Sequence, residues 1–205
     1  MTEILISTYQ HLQITFSGVF LAIIIGIITG IAITRHKTLA GIVMSLTDII
    51  QTVPSLALLA ILMMFFGLGD TTVIVALFLY SLLPIVRNTH IGLSSVNQGL
   101  LEAGTGMGMT KIQLLVKVKL PLALPIILSG IRVALVTALG IATIGVLIGS
   151  GGLGYFVYRG VQMANVSMII SGAIPLCILA IGSDLLLKYA ENKLIQSKKR
   201  IRGGC

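Results

Sequence analysis

LEAGTGMGMTKIQLLVKVKLP, residues 101–121, is the one long polar-punctuated segment in a chain that otherwise reads as membrane. It is amphipathic and basic, with Lys111, Lys117 and Lys119 set against Glu102, and hydrophobic blocks lie on both sides of it. Its order is specific: Glu102-Ala103-Gly104, three residues, Gly108, nine residues, then Val118, one residue, and Leu120-Pro121. A segment that passes force to another subunit needs a short, stiff helix, small residues that seat in a groove, and a charge that anchors it. Ala103, Gly104 and Gly108 supply the first two requirements. Glu102 supplies the third, by capping early amide groups of a short helix or by pairing with a basic residue on a partner. A solvated linker would need neither this spacing nor the Leu-Pro exit.

The rest of the composition sets the medium. The 205 residues are 56% hydrophobic and only 10% charged, with mean hydropathy +1.07, whereas soluble domains are about 25% charged. The expectation is an all-α integral membrane protein. A formal charge of +8 could suggest nucleic acid, but the basic residues fall between and after apolar runs, where they meet lipid headgroups and set topology. No nucleic-acid partner is expected. Cys177 sits in an apolar run and Cys205 ends the chain, which gives neither a metal spacing nor a disulfide framework.

Five transmembrane helices are expected. The first covers Ile14 to Thr34, 21 residues without an acidic or Lys/Arg side chain, long enough to cross a bilayer at about 1.5 Å per residue. Its positive residues, Arg35 and Lys37, follow the apolar core instead of preceding it, so the helix is expected to be kept and not cleaved as a signal, and Gly26 and Gly30 offer a close-packing face. The second, Ala40 to Leu68, carries Asp48 and Pro54, and Pro54 should bend or interrupt it. After the GLGD turn at 67–70 a third run starts at Val73 and can continue past Pro84 and Arg87 toward Ser95, with Arg87 snorkelling to the headgroups. A fourth extends from Pro121 to Ile148 and a fifth from Val166 to Leu187. Counting Lys and Arg by loop places the N-terminus outside and the C-terminus inside: twelve of fourteen then lie inside, Arg159 outside, and Arg132 within the fourth span. The domains read as an extracellular segment 1–13, a transmembrane domain 14–187 with a coupling loop at about 97–121, and a basic cytoplasmic tail 188–205.

GTGMGMTK at 104–111 resembles a phosphate-binding loop but fails its pattern, since Thr110 precedes the Lys and Ile112 follows it. ATP chemistry is therefore expected on a separate subunit. His11, His36 and His90 are scattered near predicted membrane ends and form no metal or catalytic constellation. Ionisable groups inside spans are costly and mark pathways or pairs. Asp48 and Arg132, with Gln51 and Pro54, are candidate pathway or gate residues, and Asp48 and Arg132 could pair across helices or line a vestibule. Asp184 is expected to pair with Lys188, four residues on. Gly151, Gly152, Gly154 and Tyr155 form a flexible, aromatic candidate entrance outside the membrane, or else an ordinary turn with an interfacial aromatic belt.

The Glu102 to Pro121 spacing resembles the cytoplasmic loop of permease subunits of ABC importers, departing from the family's Glu-Ala-Ala and Ile by Gly104 and Val118. QTVPSLALLAILMMFFGLG at 51–69, LPIVRNTHIGL at 83–93, LPLALPIILSGIRVAL at 120–135 and IGSGGLG at 148–154 are similar to the quaternary-amine osmoprotectant branch, the importers of glycine betaine, choline and carnitine. That resemblance implies a five-helix core with a cytoplasmic coupling helix between helices 3 and 4. It further implies a second permease copy or paralogue, an ABC ATPase subunit that uses ATP and Mg, and an extracellular solute-binding protein. It places the chain in the bacterial cell (inner) membrane and gives it no cofactor of its own. The coupling residues would be Glu102, Ala103, Gly104, Gly108, Leu120 and Pro121. With no Trp and 5% aromatics, an aromatic cage for a quaternary ammonium is expected mostly on the binding protein. Permeases for methionine or other amino acids, and a stand-alone secondary transporter, are the alternatives; the latter commonly shows inverted repeats, and none is evident here.

Overall fold

A computed structural model describes residues 2–202, all in helices and short connections. Helix α1 runs Thr2–Ile33, α2 Lys37–Thr52, α3 Ser55–Phe66 and α4 Asp70–Ser94. The central connection holds α5, Gln98–Gly106, and α6, Lys111–Leu114, which passes through a π-helical stretch at Leu115–Lys119 into α7, Leu120–Ile144. A 3₁₀ turn at Gly145–Ile148, the short α8 at Gly154–Gln162 and the long α9 at Val166–Arg202 complete the chain. Four helical stretches are long and apolar enough to cross a membrane, or five if α2 and α3 count as one broken span. The side chains of Lys37, Lys198, Lys199, Arg200 and Arg202, and Cys205, all part of the basic-segment reading or the cysteine count, lie outside the described residues.

Helix α4 is the centre of the bundle, with α1 and α7 packed along it. Its Val73, Ala76, Leu77 and Ile85 are fully buried. Lipid tails supply little hydrophobic drive between helices, so association in a membrane depends on close backbone approach over small residues. Gly26 and Gly30 do this: a Cβ added to them would lie 2.8 Å from Ile85 Cγ2 and 2.5 Å from Thr89 Cβ respectively. Helix α9 is more peripheral, packing on α7 and α8 and leaving Ile174, Ile178, Ile181 and Leu186 exposed.

The expected break at Pro54 is a bend of 100° between α2 and α3. Proline disfavours helical geometry in the residue before it, and Val53 accordingly has ψ 127°. Pro84, Pro125 and Pro175 stand inside continuous helices, so proline alone does not break a span. At Pro54 Tyr80 of α4 holds the break open, its hydroxyl donating to the Val53 carbonyl. As expected, α4 continues past Pro84 and Arg87, ending at Ser94.

Candidate coupling segment and pathway

Helix α5 is defined at both ends. The Asn97 side chain accepts from the Gly99 amide at 2.8 Å, an N-cap contact. At the other end Gly108 takes φ +79°, and the Met107 and Met109 amides return to the carbonyls of Ala103 and Gly104 at 3.0 and 3.1 Å, closing the helix as glycine caps do. Thr110 and Gln113 then form a capping box that starts α6. The nine-residue spacer thereby becomes a fold-back. It brings Leu114 over α5, where Leu114 Cδ2 lies 2.7 Å from the place a Cβ on Gly104 would take. Gly104 is buried, while Glu102 and Ala103 on the same helix are exposed. Leu120 and Pro121 open α7 directly after the π-helical stretch, with proline in its first turn.

Glu102 does not cap α5, contrary to one of its two expected roles. It is the fifth residue of the helix, past the free amides, and Asn97 occupies the cap position. Its carboxylate makes no ion pair among the described residues. What remains is an exposed negative charge on a short, firmly seated helix.

The four candidate pathway residues separate into two groups. Asp48 and Gln51 meet α4, as does Val53 beside Pro54: Arg87 Nη2 donates to Asp48 Oδ1 at 2.6 Å, Gln51 Nε2 donates to the Tyr80 carbonyl at 3.4 Å, and the Tyr80 hydroxyl donates to the Val53 carbonyl. Arg132 stands on α7 and faces α9, with Nε 3.6 Å from Asp184 Oδ1 and Nη1 4.0 Å from Glu191 Oε2. Asp48 and Arg132 therefore do not pair with each other. Arg87 turns to Asp48 instead of simply snorkelling, and Asp184 turns to Arg132 across helices instead of pairing with Lys188. Proximity in sequence misled for Asp184, because its side of α9 points at α7.

Of the two readings of the glycine-rich segment, an entrance or an ordinary turn, the contacts describe a closely packed turn. Gly151 and Gly152 sit against Gln10 and His11 of α1, and a Cβ on Gly154 would fall 2.1 Å from the Thr143 carbonyl oxygen. Leu153 is fully buried. Asp70 accepts from Ser150 Oγ at 2.7 Å and from the Gly151 amide at 3.1 Å, and the Gly69 amide donates to the Ile148 carbonyl at 2.9 Å. The GLGD turn and the SGGLG segment thus form one fastened corner. Tyr155 lies beyond it, its hydroxyl accepting from Arg159 Nη1 at 2.5 Å and its ring 5.5 Å beneath the guanidinium. His11 is fully buried, with Nε2 donating to the Leu139 carbonyl at 3.1 Å.

Asp70 and Tyr80 were given no role in the sequence. For Asp70 a signal existed, an acid at the first position of a helix after two glycines, which favours a helix N-terminus. Among the described residues no group of three His, Cys, Asp or Glu could hold a metal.

The fold superposes on a chain of the inward-facing MetNI methionine ABC transporter with TM-score 0.80 and 25% identity, covering 96% of both chains. An amino acid ABC transporter with histidines gives TM-score 0.77 at 21% identity over 94% of both, a likeness of fold. The molecule is thus a multi-pass membrane protein with an ABC importer permease fold. Residues 22–196 match the model of the binding-protein-dependent transport system inner membrane component, and the chain belongs to that family, as a transport subunit. Among curated relatives it is 48% identical to the glycine betaine/carnitine/choline transport system permease protein OpuCD of Bacillus subtilis, over 94% of this chain and 84% of the other. It is 47% identical to the choline transport system permease protein OpuBD of the same organism, over 95% and 86%. Identity to the osmoprotectant import permease protein OsmW of Salmonella typhimurium is 46%, over 95% and 92%.

Proposed function

We propose that this chain is the permease subunit of an ATP-driven importer of quaternary-amine osmoprotectants, with glycine betaine, carnitine and choline as its solutes. The observation that carries the substrate class is the 47–48% identity, over nearly the whole chain, to relatives named for those compounds, with 46% to one named as an osmoprotectant import permease. The methionine permease shares the fold at 25% identity, which favours the osmoprotectant reading over the amino-acid one.

Helix α5 is the coupling helix in this reading, and Glu102 and Ala103 are its contact with a separate ATPase subunit that binds ATP and Mg. The N-terminus is outside and the C-terminus inside the bacterial inner membrane, with α2 and α3 forming one broken span. A second permease copy or paralogue completes the path, and an extracellular solute-binding protein delivers the solute. Closure of the ATPase draws the two α5 helices together and tips the spans outward-open; hydrolysis returns them. Such coupling requires that α5 contact the two ATPase states with different free energies. Because α5 is fixed to α6 through Leu114 and Gly104, movement of α5 must carry α7 with it. Gln51 and the break at Pro54 lie at the other moving face, against Tyr80.

The test is uptake of labelled glycine betaine, carnitine, choline and methionine by cells that lack their own importers and express the chain with its neighbouring transporter genes. Uptake of at least one quaternary amine, unaffected by excess methionine, is expected. Uptake of methionine alone would overturn the substrate class and leave the importer reading standing.

A further inference from the structure

A cleft of about 440 Å³ opens where α1 ends beside the coupling segment, lined by Ile31, Thr34, Arg35, Leu101, Lys111, Leu114, Leu115 and Lys119. Three cations from separate stretches of chain, Arg35, Lys111 and Lys119, converge on it, over a floor of isoleucine and leucine. All six carboxylates of the chain are accounted for elsewhere. Asp48 holds Arg87, Asp70 holds Ser150, Asp184 and Glu191 face Arg132, Glu3 lies at the opposite end of α1, and Glu102 does not line the cleft. None of the three cations makes an ion pair among the described residues. The Thr34 hydroxyl is committed to the Ile31 carbonyl at 2.5 Å, so the cations are the cleft's strong polar groups.

Its position says which anion fits. Arg35 is the first Lys or Arg of the chain and follows directly on the apolar α1, and Lys119 immediately precedes the apolar α7. Both therefore stand at the boundary between hydrocarbon and water, where anionic headgroups lie. The exposed Ile24, Ile25 and Ile28 of α1 continue the apolar floor away from the cleft, in the direction an acyl chain must run. The volume falls in the range of small-ligand sites, roughly 300–1,000 Å³.

We propose that this cleft binds the phosphate of an anionic phospholipid headgroup, with Arg35, Lys111 and Lys119 as its ligands. The lipid ties the end of α1 to the coupling segment, so the membrane's charge bears directly on the element that moves. A basic residue near an anionic surface contributes about fivefold in binding, which makes the three together worth on the order of a hundredfold.

The test uses the full-length chain, purified with whatever subunits accompany it, in nanodiscs of phosphatidylcholine containing a minority of phosphatidylglycerol. Lipids retained by the protein are counted by native mass spectrometry. The wild type should retain phosphatidylglycerol in preference to phosphatidylcholine, and R35Q/K111Q/K119Q should lose that preference by on the order of a hundredfold. K117Q, which removes a lysine of the same segment that does not line the cleft, should keep it and controls for loss of a basic residue outside the cleft. Equal retention of the two lipids by the wild type, or an unchanged preference in the triple variant, overturns the proposal. So does displacement of the retained phosphatidylglycerol by millimolar inorganic phosphate, which would identify the ligand as a free anion.

Discussion

Arg87 of α4 and Asp48 of α2 are joined by a hydrogen-bonded ion pair of 2.6 Å, 39 residues apart in sequence. It fixes α2 to the centre of the bundle ahead of the bend, while Tyr80 contacts the bend itself. Both side chains are 46% exposed, so the pair is worth only about 0.2–1 kcal/mol if its surroundings are aqueous. A double-mutant cycle on thermal unfolding should return a favourable coupling energy in that range, with D48R/R87D recovering stability that Asp48→Asn loses. A coupling energy of zero would show that the pair does not hold α2.

At the bend, Tyr80→Phe removes the donor from the Val53 carbonyl. An unmet carbonyl in a dry setting costs about 1–3 kcal/mol, so amide exchange across residues 51–58 should quicken by roughly tenfold or more. Unchanged exchange there would mean that proline geometry alone keeps α2 and α3 apart.

Much of this was legible in the sequence. The apolar runs gave the helices because hydrocarbon requires every backbone group to be satisfied within the helix, and Pro54 marked the break because it restricts Val53. The spacing from Glu102 to Pro121 located α5 and its return. Side-chain pairing was less legible, since Asp48, Arg132 and Asp184 choose partners by which helix faces which. Nothing in the local order of residues records that. The glycines at 151, 152 and 154 left an entrance and an ordinary turn both open for a related reason: glycine permits flexibility and close packing alike, and the close packing is seen only in the positions of Gln10, His11 and Thr143.

Gly154→Ala separates those two meanings. Its Cβ would meet the Thr143 carbonyl oxygen at 2.1 Å, whereas a Cβ on Gly140 meets nothing within 4 Å. Forced overpacking costs about 1–3 kcal/mol or more, while Gly→Ala in an open helical position gains up to about 1 kcal/mol. Size-exclusion chromatography in detergent should therefore show less monodisperse Gly154→Ala protein, and as much Gly140→Ala protein as wild type. Equal yields of Gly154→Ala would mean that the corner is loose.

The most direct measurement is purification of the tagged chain from its native membrane, as wild type and as Glu102→Lys, with identification of the subunits that accompany it and an assay of ATP hydrolysis. Glu102 is exposed on a helix whose seating depends on Gly104, Leu114 and Asn97, so charge reversal should leave the chain in the membrane and monodisperse. An ATPase subunit should accompany the wild type and be lost with Glu102→Lys, together with uptake. A Glu102→Lys variant that keeps the ATPase and transports as well as wild type would contradict α5 as the point of coupling.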